Sequence, residues 1–318
     1  MREDRSSKGS PAVIVTGAAG GVGHDAVQTL RDRGYHVYAG AIDPWEWDIV
    51  SALAAQPASA GELTPVMLDL RKHEQMAELA EKIAASGERL AGLVLNGAAS
   101  PEGVPAEHTS VALLRDTYET NVIGNFAAIM ACLPLLKRDR GRIIFISSAT
   151  TFAPPPMVLP YVTAKCAMNG MSHVLRRELK NTGIGVSLLL PGVIKHTYMA
   201  QGLHEATKHR LAEIRGCTPE EVTHRSYERD QNTALMQPEG GADPFYEQML
   251  QGQLTTIGVG LETGFMPSLV TKDIVKALEA RRPKPVYVQG VASHAFRFIS
   301  WLLSFRALDW VTRRMGYR

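Results

Sequence analysis

Residues 12–23 read AVIVTGAAGGVG, and their reading decides the fold. The first four are apolar and mostly β-branched, the pattern of a short buried strand. Val22, Ala26, Val27 and Leu30 then recur at helical spacing, and Gly34 stands where a helix stops. Between strand and helix lie Gly17, Gly21 and Gly23. Glycines at such a turn give a tight bend, an approach of pyrophosphate to the backbone, and close helix–strand contact. The N–H groups around Val22 and the positive end of the helix would then hold the phosphates. Glycine-rich turns also arise for steric reasons alone, but the place of this one, between first strand and first helix, points to a dinucleotide.

Working outward, short apolar runs alternate with longer amphipathic stretches: HVYAG (36–40), TPVMLDL (64–70), LAGLVLN (90–96), RIIFISS (142–148) and GVSLLLP (185–191). The alternation predicts βαβ units, hence an α/β fold with a Rossmann-like, doubly wound parallel sheet flanked by helices. After Pro191 the rhythm changes. Residues 197–265 read as a helical insertion over the sheet edge that serves as a substrate lid, with Leu203, Leu211 and Ile214 on one helix and a loop at QPEGGADP. A helix over 268–281 and a strand at PVYVQG (285–290) complete the sheet, and 291–318 follow as an apolar C-terminal helix. The whole of 1–318 reads as one domain with no repeats.

Composition narrows the function. Hydrophobic residues make up 45% and charged ones 21% of 318, as in an ordinary globular protein. The net charge is +2 with both signs mixed along the chain, which argues against nucleic acid. Cys132, Cys166 and Cys217 are odd in number and far apart, so neither disulfides nor zinc are expected, and Cys166 reads as a small buried residue. His196, His204, His209 and His224 lack metal-ligand spacing, and no metal is expected. MREDRSSKGS has no apolar run of signal-peptide length behind it, which predicts a cytoplasmic protein. AFRFISWLLSFRALDWV (295–311) is interrupted by Arg297, Arg306 and Asp309, too short an apolar run to span a bilayer. It makes a wide apolar face for the core or a second subunit, with peripheral membrane contact as the alternative.

Charge near the second strand bears on the choice of dinucleotide. A 2′-phosphate wants a nearby base, yet the two favoured places carry Gly20 and Ile42. Asp43 instead offers a carboxylate to ribose hydroxyls, so NAD is favoured over NADP. Asp69, followed by Leu70, stands at the end of the third strand, either to accept from the adenine amine or to cap the next helix.

In PYVTAK (160–165), Pro160 marks a helix start and places Tyr161 and Lys165 one turn apart on a shared face. A phenol titrates near pH 10, and an adjacent ammonium lowers that value by favouring phenolate. Ser148, thirteen residues before Tyr161, can hold a substrate oxygen. Tyrosine and lysine one turn apart are common on helices, so the pair gains meaning only from its company.

That company is TGAAGGVG, NGAA (96–99), NVIG (121–124), ISS (146–148), YVTAK (161–165) and PGVIKHT (191–197), in this order. Over about residues 10–195 the chain resembles the short-chain dehydrogenase/reductase family. The resemblance implies Tyr161 as general acid/base, Ser148 as holder of the substrate oxygen, and Lys165 as partner of both the phenol and the nicotinamide ribose. It implies a role for Asn121 in a proton relay through water. It also implies cofactor contacts from Asn96, Gly97, Ala98, Pro191 and Gly192, with Ile194 offering backbone groups to the carboxamide. Two departures stand out: NGAA replaces the usual NNAG, and His196 occupies an expected threonine position with Thr197 one place later.

GYHVYAGAIDP and RRPKPVYVQG with the aromatic helix behind it resemble the branch of hydroxysteroid, retinol and hydroxybutyrate dehydrogenases. This implies a secondary alcohol or ketone on a lipophilic skeleton, and a homodimer or homotetramer built on helices near 110–136 and 158–182. Pro154, Pro155, Pro156, Met157, Met199 and Leu203 could form an apolar pocket wall. A dinucleotide sensor without chemistry, and a redox-neutral lyase or epimerase using the same tyrosine and lysine, are the alternatives.

Overall fold

The structure is a computed structural model that describes residues 10–57, 60–99, 103–195, 208–209, 212–213, 218–221 and 244–314. Seven strands form one sheet: β1 (Ala12–Val15), β2 (His36–Ala41), β3 (Glu62–Met67), β4 (Leu90–Leu95), β5 (Arg142–Ile146), β6 (Gly185–Pro191) and β7 (Val286–Gln289). Their order is β3-β2-β1-β4-β5-β6-β7, with every pair parallel. The order reverses between β1 and β4, and beyond the carboxyl ends of strands at such a reversal an open α/β sheet binds its ligand.

Both faces of the sheet are covered, which is why the strands are apolar runs and not alternating ones. In β1, Ala12 and Ile14 join a core with Leu93, Phe145 and Ile129, while Val13 and Val15 join another with Val27, Leu30 and Ile274. Helices α1 (Gly21–Asp32), α2 (Pro44–Ala54) and α3 (His73–Ser86) follow the first three strands. Each fully buried Leu, Ile or Phe contributes roughly 1.5–3 kcal/mol, so the central strands carry much of the folding energy.

β3 is an edge strand, and Pro65 inside it is tolerated there because a missing N–H at an edge breaks no ladder. The strand is displaced from the expected 64–70. Leu68 donates a last bond to the Ala41 carbonyl, and the chain then turns away at Asp69.

After β4 the chain runs through α4 (Val111–Tyr118), a π-helical turn over Glu119–Gly124, and α5 (Asn125–Asp139). This run is long and apolar enough to cross a membrane by length and composition; here it packs on α3 and β4 with Ala128, Ile129, Cys132 and Leu136 buried. The π turn passes close under the chain after β3: a Cβ at Gly124 would lie 2.4 Å from the Leu70 carbonyl oxygen. Helix α6 (Leu159–Glu178) follows β5.

The described part of the insertion is mainly α7 (Glu247–Thr263). It packs on Tyr161, Met157 and Val193, at the carboxyl end of the sheet and not over its edge. Leu203, Leu211, Ile214 and QPEG lie outside the described residues. Helix α8 (Ser268–Glu279) precedes β7 and ends two residues earlier than expected. The C-terminal segment is two helices, α9 (Val291–Leu302) and α10 (Phe305–Arg314), because Leu303 turns extended and Ser304 restarts the helix by accepting from the Ala307 N–H.

Replacing Gly124 by alanine forces its methyl into backbone, so Gly124→Ala should lower stability by about 1–3 kcal/mol, read as a fall in Tm.

Candidate active site

The glycine loop is held from behind. The Thr16 hydroxyl accepts from the N–H groups of Asn96 (3.0 Å) and Gly97 (2.8 Å), and the Asn96 amide donates to the carbonyls of Thr16 (3.1 Å) and Gly17 (2.8 Å). Asn96 therefore shapes the loop through these bonds. Thr16, not singled out from the sequence, is their centre. Gly17 has φ +62°, and a Cβ there would stand 2.8 Å from Gly97 Cα; one on Gly23 would stand 2.1 Å from the Gly17 carbonyl oxygen. Gly21 also has positive φ, and Val22 is buried in the core. The N-cap residue Gly20 brings no side chain to the first turn of α1, which holds no acid. Its first N–H groups thus suit an anion. These residues fit a dinucleotide pyrophosphate.

Past β2, Asp43 is the N-cap of α2 and accepts from the Glu46 N–H at 2.8 Å, while the Glu46 carboxylate accepts from the Ile42 N–H at 3.0 Å. Burial, with Asp43 adding to it, pushes the Glu46 carboxyl up. Glu46 was missed in the sequence, although the DPWE spacing is close to a capping box. Past β3, Asp69 is paired with Arg71, whose guanidinium donates to both carboxylate oxygens at 3.0 and 2.7 Å and holds its carboxyl below the usual range. It does not cap α3, whose N-cap is Lys72. Leu70 is buried beside it, and Ala98 is half-buried at the carboxyl end of β4.

Ser148 follows β5 and caps a short 3₁₀ turn, Ala149–Thr151. Pro160 starts the first turn of α6 and brings Tyr161 and Lys165 back toward Ser148. The Lys165 ammonium lies 5.5 Å from the Tyr161 ring centroid and donates to the Ile146 carbonyl at 2.9 Å. Ser147 faces inward, donating to Asn169 Oδ1 at 2.6 Å. Asn121 is fully buried in the π turn, where its Oδ1 accepts from the Ala99 N–H at 2.6 Å and its backbone carbonyl accepts from the Asn125 amide at 3.0 Å. π turns of this kind recur at functional sites.

The loop after β6 completes the rim. Gly192 donates to the Gln289 carbonyl and has Ser293 of α9 against it, so a Cβ there would meet Ser293 Oγ at 2.5 Å. Pro191 ends the strand, and Ile194 bridges to Phe265 through the groups of Val193 and Lys195 and not through its own. His196, Thr197, Met199 and Leu203 lie outside the described residues. Tyr161 and Ile257 pack against the buried Val158 and Val162, next to a cluster of Met157, Leu250 and Leu254. Met157 holds φ +72°, unusual for a residue with a side chain and of the kind often found beside functional sites. Cys166 is exposed, contrary to the expected buried position, because it falls on the outer face of α6; burial nevertheless pushes its thiol up. Among the described residues no His, Cys, Asp or Glu cluster suits a metal.

The family model described as short chain dehydrogenase matches residues 11–208. The chain belongs to the short chain dehydrogenase family. This family uses NAD or NADP. Among curated relatives, 3-amino-tetrahydro-pyrrolizinone reductase of Xenorhabdus hominickii is 33% identical over 186 residues, 58% of this chain and 61% of that protein. Estradiol 17-beta-dehydrogenase 2 of Mus musculus is 26% identical over 310 residues, 96% of this chain and 75% of that protein. A crystallised short-chain dehydrogenase from Streptomyces avermitilis superposes with a TM-score of 0.68 at 19% identity, covering 96% of this chain and 95% of that one. The chain spans 61% and 75% of the length of the two curated relatives.

The electrostatics of this short chain dehydrogenase site are set by burial. It pushes the Tyr161 phenol up, while the Ser148 hydroxyl bonded to it acts the other way. It pulls the Lys165 ammonium down to about 8. A lysine depressed on folding destabilises the native state while charged, fully below about pH 8, and the cost fades as pH rises toward 10.5. Lys165→Met should therefore gain stability relative to wild type at pH 7, by about 1–3 kcal/mol, and lose most of that gain by pH 10 in chemical denaturation.

Proposed function

We propose that the protein is an NAD-dependent dehydrogenase interconverting a secondary alcohol and a ketone on a lipophilic skeleton. One observation carries the reading: Ser148, Tyr161 and Lys165 converge at the carboxyl end of β5, beside the sheet's switch point and its glycine loop. The Tyr161 phenolate takes the hydroxyl proton of the alcohol as the carbonyl forms. The Ser148 hydroxyl donates to the same oxygen, and Lys165 steadies the charge on the phenol. Bound NAD supplies the hydride acceptor. Asn121, held in the π turn, borders the same site through Ala99.

NAD is preferred because Asp43 and Glu46 place two carboxylates at the end of β2, where a 2′-phosphate would be repelled. The apolar clusters beside Tyr161, with Ile257, Val158 and Met157, support a hydrophobic substrate, as does the similarity over most of the chain to an estradiol dehydrogenase. We read residues 1–318 as one catalytic unit with 197–265 as its lid and 291–318 as an appended apolar segment. The same reading has it assemble as a homodimer or homotetramer, supported by Ile123, Phe126 and Val174 exposed on α5 and α6 and the turn before them. Phe298, Trp301 and Leu302 are exposed on α9 beside Arg297, which supports peripheral contact with a membrane. With Cys132 and Cys166 as free thiols, we place it in the cytoplasm.

The test is NADH formation by the purified full chain over a panel of secondary alcohols, steroids included, with NADP in parallel. Turnover with NAD should fall at least about 1000-fold in Tyr161→Phe. Asp43→Ser should raise kcat/KM for NADP relative to NAD roughly tenfold, the effect of about 1.4 kcal/mol of relieved repulsion. Silence across the panel with NAD binding intact would favour a sensor or a redox-neutral lyase. In sedimentation, Phe126→Glu should shift the assembly toward smaller species, since a charge on a packed apolar face goes unpaired.

A further inference from the structure

We infer that Thr150 is a positioning residue that fixes the Ser148 hydroxyl as a one-way hydrogen-bond donor toward Tyr161 and the substrate oxygen. The inference rests on the dehydrogenase reading for its catalytic meaning, but its geometry stands apart from it. A serine hydroxyl has one proton to give and two lone pairs to fill. Thr150 sets two donors against those lone pairs: its backbone N–H donates to Ser148 Oγ at 3.2 Å, and its hydroxyl Oγ1 lies 2.9 Å from the same atom, where we assign it as the second donor. In that assignment both acceptor positions are used, and none is left on Ser148 for the phenolic proton. The proton it retains points outward to the phenol and to whatever oxygen binds there.

This polarity matters for a base. A serine that accepted from Tyr161 would hold the phenol protonated, whereas a serine that donates stabilises phenolate and any alkoxide formed beside it. The 3₁₀ turn makes the arrangement, because residue 150 is two along from its cap and both its N–H and its side chain fold back on the capping oxygen.

Thr150 is also separable from the scaffold. The turn is tied to α6 by a different set of bonds. The Thr151 hydroxyl donates to the Ser148 carbonyl at 2.8 Å and accepts from the Asn169 amide at 3.1 Å. Asn169 Oδ1 in turn accepts from Ser147 at 2.6 Å. Removing the Thr150 hydroxyl leaves this frame in place, and the backbone N–H bond to Ser148 with it. What changes is one lone pair on Ser148, which becomes free to accept from Tyr161.

The experiment is a pH titration by NMR of protein carrying ¹³Cζ-tyrosine, with Tyr161→Phe to assign the resonance. It compares wild type, Thr150→Val, Thr150→Ala and Thr150→Ser, alone and with NAD. Valine and alanine should move the Tyr161 titration to higher pH, leaving roughly threefold less phenolate at a given pH on the rising limb, and serine should restore it. Once a substrate is found, the acid limb of kcat/KM should move the same way in the same variants, with KM little changed. An unmoved titration in both valine and alanine variants, or a serine variant that fails to restore it, would overturn the proposal. The titration needs no substrate, so a failure of the dehydrogenase reading in the alcohol panel leaves it standing and is distinguishable from it.

Discussion

The junction between β1 and β4 is the constraint on which the rest depends. Thr16 and Asn96 exchange bonds across it, and Gly17 approaches Gly97 so closely that a side chain on Gly17 would strike the Gly97 backbone. The sheet reverses its order there, so the helices on the two sides diverge and leave a crevice at the carboxyl ends of the strands. The candidate catalytic residues lie at that end of the sheet. Ser148 reaches it from β5, Tyr161 and Lys165 from the first turns of α6, and Asn121 from the π turn that passes under Leu70.

Burial works against both charged forms at this site. Burial raises the phenol and depresses the lysine, and the ammonium is bonded to the Ile146 carbonyl. The expectation that the nearby lysine lowers the tyrosine does not describe this balance, in which burial raises the phenol and the Ser148 hydroxyl lowers it. Ser148 is the protein group acting against that burial on the phenol, which gives the orientation of a single hydroxyl more weight than its size suggests.

Most of the fold was legible in the sequence because strands buried on both faces leave continuous apolar runs, as in IIF of β5 and SLLL of β6. The glycine turn was legible because its residues have steric duties that few others can perform. Other features left weaker traces. The π turn at 119–124 has no periodicity of its own, since one extra residue per turn does not disturb a short apolar pattern. The role of Thr150 was hidden because a threonine two residues past a serine is commonplace, and only the 3₁₀ geometry turns both its donors onto one oxygen. Glu46 shows in the sequence only as the fourth residue of DPWE, and nothing in the sequence marks Thr16 as the anchor of the glycine turn. The end of β3 and the break at Leu303 leave no sequence trace because Leu68, Leu70 and Leu303 are as apolar as the residues within the elements they leave.

Pro65 carries a consequence at some distance from the chemistry. β3 is one margin of the sheet, and in every other position along it a backbone N–H facing outward would offer a template for another chain. Proline interrupts that row of donors, so this margin resists the ribbon-like growth by which exposed strands seed aggregates. A residue that looks like a flaw in a strand thus serves to keep this edge from pairing with another chain.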